Sequence, residues 1–182
     1  MNALSGILFL MGFLPYIYSI LKGKTHPSPI SWTIWASVDT LVIIAMIKEK
    51  AKVGQLTGAV FGAWTVAILA VLYGKAGMGY IEWISVVGGF AGIITWKKTG
   101  NPVTAIICSQ AALLIGAIPT ITNAWINPAQ ENLIAWSIWT MSCICALFAI
   151  KKWDLANALQ PLTFMVIEGT VMVLVVIRPW LT

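Results

Sequence analysis

The chain has 182 residues, of which 59% are hydrophobic and 9% charged, against about 25% charged in an average soluble domain. Seven apolar stretches can be marked off; at about 20 residues per bilayer-crossing helix they use about 140 positions, leaving too little chain for a soluble catalytic or nucleic-acid-binding domain. Eleven Lys and Arg against six Asp and Glu give a net charge of +5, and most of these residues sit at the ends of the apolar stretches, where topology signals lie, so they form no nucleic-acid footprint.

The first predicted helix covers residues 3–21. No basic segment precedes it and no small-residue cleavage pattern follows, so it reads as a helix of the mature protein and not as a removable signal peptide. A polar turn at 22–29 leads into a second helix at 30–47, and Lys48-Glu-Lys-Ala-Lys separates that from a third at 53–73. The remaining predicted helices are 81–96, 103–126, 133–150 and 156–177. Pro27, Pro29, Pro102 and Pro128 fall at or near helix starts, where a missing N–H costs least. Gly54, Gly58 and Gly62 form a close-packing ridge on the third helix, and Gly88, Gly89 and Gly92 suggest the same on the fourth. Cys108, Cys143 and Cys145 are odd in number, lie inside apolar stretches and lack the paired spacing of a zinc site or a disulfide framework. They read as small buried hydrophobes, and no metal or cofactor is expected.

An internal repeat is the strongest organisational signal. At an ungapped offset of 104 positions, Ser5, Gly12, Pro15, Ile17, Ile30, Trp32, Ile34 and Trp35 meet Ser109, Gly116, Pro119, Ile121, Ile134, Trp136, Ile138 and Trp139. The same offset carries the third helix onto the seventh. Three helices is an odd number, so a single intervening helix restores the orientation of the second half and makes the repeats parallel, related by an axis along the membrane normal. The expected fold class is an all-α membrane protein: seven transmembrane helices as two parallel three-helix repeats joined by a linker helix. Residues 1–73 form the first bundle, 74–100 the linker and 101–182 the second bundle.

This arrangement, with a proline late in the first helix of each repeat and a short polar turn before a Trp-rich second helix, resembles the PQ-loop superfamily of SWEET-like transporters. The superfamily's Pro-Gln dipeptide is here Pro15-Tyr16 and Pro119-Thr120. The resemblance therefore implies the 3+1+3 fold and the two helix-breaking prolines, and not a sugar substrate.

Several residues stand out as site candidates. A proline inside a membrane helix removes a backbone hydrogen bond and frees a carbonyl; the equivalent placement of Pro15 and Pro119 suggests paired hinges, with static kinks as the plainer reading. Asp39 lies about midway along the second helix and Glu168 mid-span in the seventh, each without a basic residue at its depth. A charge there costs about 2.5–3.5 kcal/mol or more. Each carboxyl must be protonated, neutralised by a bound cation or exposed to a water-filled cavity, unless it is a neutral acid bonded to a neighbouring helix. Gln110, Asn123, Asn157 and Gln160 offer donors and acceptors to a polar solute, or glue between helices.

Of ten tryptophans, Trp83, Trp96, Trp125, Trp153 and Trp180 sit near span ends and fit an interfacial belt. Trp35 and Trp139 are repeat equivalents about 8 Å into their helices, each one turn from Trp32 or Trp136. Their indole faces could sandwich a flat ring, a sugar face or a cation, or simply pack against lipid or a neighbouring helix. Trp64 occupies the repeat position of Glu168 and is expected to flank one side of a central cavity.

An enzyme is not expected, because the single histidine, His26, lies in a loop and no nucleophile and base or metal cluster is visible. The seventh helix has no lysine for a retinal Schiff base, and no filter-like segment or charged ring suggests a channel. The expected function is alternating-access transport of a small polar or cationic organic solute, with a proton as candidate coupling ion. Trp35, Asp39, Trp64, Gln110, Asn123, Trp139 and Glu168 would bind the solute, and Pro15 and Pro119 would act as hinges. The alternative is a non-transporting ligand-binding membrane receptor of the KDEL-receptor kind. Expected partners are the small-molecule solute and the lipid bilayer, with no nucleic acid; a fused repeat holds both halves of a pathway, so a monomer suffices, and a homo-oligomer is the other option. The expected location is the plasma membrane of a prokaryote. An outside N-terminus would leave Lys22, Lys24, Lys75 and Arg178 inside and seven basic residues outside, so the charge count favours a cytoplasmic N-terminus, whereas the SWEET resemblance implies the opposite.

Overall fold

The computed structural model describes residues 1–27, 29–74 and 80–180. Within the helices, the side chains at 30, 31, 81, 82, 85, 86, 88, 89, 92, 93, 96, 119 and 123 also lie outside the described residues. Lys75, Gly88, Gly89, Gly92 and Trp96 therefore fall outside it, as do the side chains of Pro119 and Asn123.

Among the described residues the secondary structure is entirely helical: α1 (Asn2–Leu21), α2 (Pro29–Lys48), α3 (Gly54–Tyr73), α4 (Tyr80–Thr99), α5 (Pro102–Ile126), α6 (Leu133–Phe148) and α7 (Leu155–Ile177), with short 3-10 turns at Pro128–Gln130 and Arg178–Trp180. Four of these, α1, α3, α5 and α7, are long and apolar enough to cross a membrane, and α6 is a shorter apolar helix. Large apolar side chains such as Leu14, Phe61, Ile68, Val71 and Leu72 face outward, a surface far more apolar than water tolerates over a continuous patch.

The helix ends have local causes. Pro29 and Pro102 open α2 and α5, where their fixed φ suits a first turn. Asn132 caps α6 by accepting from the Ala135 N–H at 3.0 Å, and Asp154 caps α7 by accepting from the Asn157 N–H at 3.0 Å. Each satisfies one of the orphan donors of a first turn. Hydrogen bonds from Asn157, with help from the adjacent Lys152 ammonium at 3.0 Å, hold the Asp154 carboxyl below the usual carboxylate range.

α1 and α3 pack closely. A Cβ on Gly54 would strike the Asn2 carbonyl, one on Gly58 the Gly6 carbonyl, and one on Gly62 the Phe13 ring. The glycine ridge lets the two backbones approach to a distance no side chain would permit. α3 also packs on α2, α1 on α6, α5 on α7 and α2, and α6 on α7, while α4 lies against α5. One core runs through these contacts, from Phe9 and Phe13 of α1 through Trp32 and Val42 of α2 to Trp136, Trp139, Ile167 and Val171.

Candidate functional site

Six helices converge on a cavity of about 50 Å³. Its walls are Phe9 and Phe13 from α1, Trp32, Trp35 and Asp39 from α2, Ala59 and Ala63 from α3, Leu113 from α5, Trp136 and Trp139 from α6, and Phe164, Ile167 and Glu168 from α7. By the measure in which one water needs about 10–15 Å³, this is room for about three to five waters.

Aromatic rings in edge-to-face pairs make up much of the wall. In α2 the rings of Trp32 and Trp35 meet edge to face at 5.3 Å and 69°, and in α6 those of Trp136 and Trp139 do so at 5.1 Å and 81°. Each pair is one helical turn long, so the second ring stands on the first, and the offset of 104 makes the pairs counterparts. Trp139 is 2% exposed. Its ring packs against Phe9, Phe13 and Tyr16 at 5.0–5.9 Å, and its indole N–H donates to the Phe9 carbonyl at 2.9 Å. Room for it comes from Gly12, where a Cβ would collide with the indole. Trp136 donates its indole N–H to Glu131 Oε2 at 2.9 Å. The pair in α6 thus turns its donors away and gives the cavity ring surface.

Asp39 and Glu168 are the polar residues of the wall, 4% and 8% exposed. Asp39 Oδ1 and Glu168 Oε2 are buried without a hydrogen-bond partner among the described residues. Leaving a buried polar atom unpaired costs about 1–3 kcal/mol, and more if it carries charge. Among the described residues no Lys, Arg or His lines the cavity. Native structures rarely tolerate such atoms unless a water, ion or ligand completes them.

The other buried polar side chains of α3, α6 and α7 are satisfied. Gln160 Nε2 donates to Gln55 Oε1 at 3.2 Å, Gln55 Nε2 donates to Cys143 Sγ at 3.1 Å and Ser142 Oγ at 3.4 Å, and the Ser142 hydroxyl donates to the Ser5 carbonyl at 2.7 Å. This chain ties α7, α3, α6 and α1 together.

Trp35, Asp39, Trp139 and Glu168 thus line one cavity. Trp64 lies outside it. The cavity face of α3 is carried by Ala59 and Ala63, and Trp64, about 100° further round the helix, is 41% exposed and donates its N–H to Thr40 Oγ1 at 3.1 Å. Gln110 is 1% exposed and is not part of the wall, and its amide nitrogen and oxygen both lack partners among the described residues. Pro15 lies inside α1, so it gives the Met11 carbonyl no N–H, and the Pro15 carbonyl accepts from Asn132 Nδ2 at 3.1 Å, which joins this point of α1 to the cap of α6. Pro119 falls within α5 and Asn123 one turn beyond it. Asn157 serves at the start of α7, donating to Asp154 and accepting from the Lys52 N–H, and Gln160 belongs to the satisfied chain.

Sequence reasoning missed Gln55, the phenylalanines of the wall, and Pro161, which is buried inside α7. An amide just inside an apolar helix was the available signal for Gln55. Phe9, Phe13 and Phe164 give none, because a cavity phenylalanine and a lipid-facing one read alike. Among the described residues no group of three or more His, Cys, Asp or Glu is placed to hold a metal ion.

Compared with known proteins, the chain matches no family model, no curated protein and no solved structure.

Proposed function

We propose that the protein is a membrane transporter that moves a small polar or cationic organic solute by alternating access, in the plasma membrane of a prokaryote. In this reading seven helices cross the bilayer in a 3+1+3 arrangement, α1–α3 and α5–α7 are parallel repeats, and α4 is the linker. The packing pattern supports it: α1 on α3 has its counterpart in α5 on α7, α2 on α3 in α6 on α7, and α1 on α6 in α5 on α2. The observation that carries the proposal is a cavity walled by all six repeat helices, in which two carboxyl groups have buried oxygens without partners. A site shared by both halves is where rocking one bundle against the other would expose a solute to each side in turn. Pro15 and Pro119 are the hinge candidates, and the carboxyls are also the candidate carriers of a coupling proton.

Tracer uptake into liposomes holding the purified protein tests this, with sugars, amino acids, nucleosides and organic cations offered in turn. Accumulation of one class, lost in Asp39→Asn, supports transport. Saturable binding without flux overturns it in favour of a ligand-binding receptor.

A further inference from the structure

We propose that the cavity selects a small organic ammonium ion, seated between the carboxylates of Asp39 and Glu168 and walled by the two perpendicular tryptophan pairs. This deepens the transport reading and rests on it only in taking the cavity as the solute site.

The charge of the wall favours a cation. Among the described residues the wall has two acids, no basic side chain and unpartnered carboxyl oxygens, so a cation supplies what these residues do not. An anion would meet two carboxyls and, among the described residues, no basic side chain. A zwitterion would leave its own carboxylate without a counter-charge in the same place.

The rings favour a cation as well. A cation is attracted to the face of an aromatic ring within about 6 Å of its centroid, most strongly to Trp, and desolvation strengthens the effect. Trp32 with Trp35, and Trp136 with Trp139, form two corners with interplanar angles of 69° and 81°, and Phe9, Phe13 and Phe164 add further ring surface. A round cation meets such a cage from several sides. A sugar needs donors as well as acceptors for its hydroxyls, and the indole N–H groups of Trp136 and Trp139 are already bonded to Glu131 and to the Phe9 carbonyl.

Size and hydration favour an organic one. The space of about 50 Å³ corresponds to a few waters, which suits an ammonium head carrying a few carbons. A bare inorganic cation would exchange its hydration shell for two carboxyl groups and apolar walls, far short of the oxygen ligands that hard cations take. An alkylated ammonium is weakly hydrated and presents apolar carbon to the rings.

The test uses the full-length protein in detergent, with its tryptophan fluorescence titrated with choline and, separately, with 3,3-dimethylbutan-1-ol, which has the same shape without the charge. The expected result is a saturable change with choline, affinity for the neutral isostere lower by about thirtyfold, and choline binding weakened at least about tenfold in Asp39→Asn and in Glu168→Gln. Gln55→Ala, outside the cavity wall, should bind choline as the wild type does. Equal affinity for both probes, the same response to potassium chloride at the same concentration, or no saturable response to choline from the folded wild type would each overturn the proposal. Because the two probes are compared on the unmodified protein, a variant that fails to fold does not decide the matter. Choline binding without choline flux in liposomes would overturn transport and leave the ammonium site standing; flux of another solute class with no choline binding would do the reverse.

Discussion

Toward the amino-terminal ends of α3 and α7, Gln55 and Gln160 pass hydrogen bonds on to Ser142 and the Ser5 carbonyl, so that every link of the chain has a partner. Further along α7 and midway along α2, Glu168 and Asp39 are also buried, yet each leaves an oxygen without one among the described residues. The first region needs nothing from outside the protein. The second, in the proposed reading, is completed by a solute that enters the cavity. Satisfied buried polarity ties helices together here; unsatisfied buried polarity is proposed to serve recognition where it faces the cavity, as at Asp39 and Glu168, whereas Gln110, equally without partners among the described residues, lies outside the wall.

The largest expected effect separates these two roles directly. Asp39→Asn and Glu168→Gln should lower solute flux by about a hundredfold, equivalent to about 2.7 kcal/mol, while leaving the unfolding midpoint unchanged or raised, because neither side chain has a partner to lose at its orphaned oxygen. Flux assays beside thermal unfolding check both halves; a large loss of stability would place the carboxyls with the glue. Gly12→Ala comes next. Its methyl collides with the Trp139 indole, and overpacking of this kind costs about 1–3 kcal/mol. The variant should lose stability and ligand affinity together, readable by thermal unfolding with and without ligand, since Trp139 belongs both to the core and to the cavity.

Gln55→Ala should behave as the mirror image of the carboxyl variants. It strips Gln160 Nε2 of its acceptor and should lower stability by about 1–2 kcal/mol, with affinity at the cavity unaffected. The smallest effect concerns Asp154, whose carboxyl is held below the usual range by Asn157 and Lys152. A depressed pKa contributes stability above the ordinary carboxylate range that is lost as pH falls through the lowered value. Asp154→Ala should therefore unfold at a slightly lower temperature than the wild type at pH 7, and the gap should close as the pH is taken below about 4.

Much of this was legible in the sequence for identifiable reasons. Apolar runs and polar turns placed the ends of α1 to α7 within three residues of those observed, because proline starts and charged turns punctuate them. Asp39 and Glu168 stood out because a carboxyl far from any lysine or arginine is rare in an apolar helix. The offset of 104 drew attention to Trp35 and Trp139. What the sequence did not carry was the rotation of each helix. A helix that is apolar all round has no polar stripe to say which face points inward, so nothing distinguished Trp64 from Ala63, and only packing turns the alanine to the cavity and the tryptophan outward. The Gln55 to Ser5 chain was hidden for a related reason: its members come from four helices, and their meeting depends on tertiary distances that no single segment encodes.

Asp39 and Glu168 are proposed to hold the solute, while Gln55 and Gln160 hold the helices. The most direct measurement is tracer uptake into liposomes, over a panel that includes organic ammonium ions, by the wild type, Asp39→Asn with Glu168→Gln, and Gln55→Ala, all verified as folded. The account predicts accumulation by the wild type and by Gln55→Ala, and none by the double carboxyl variant. Uptake by the double variant equal to that of the wild type would contradict it.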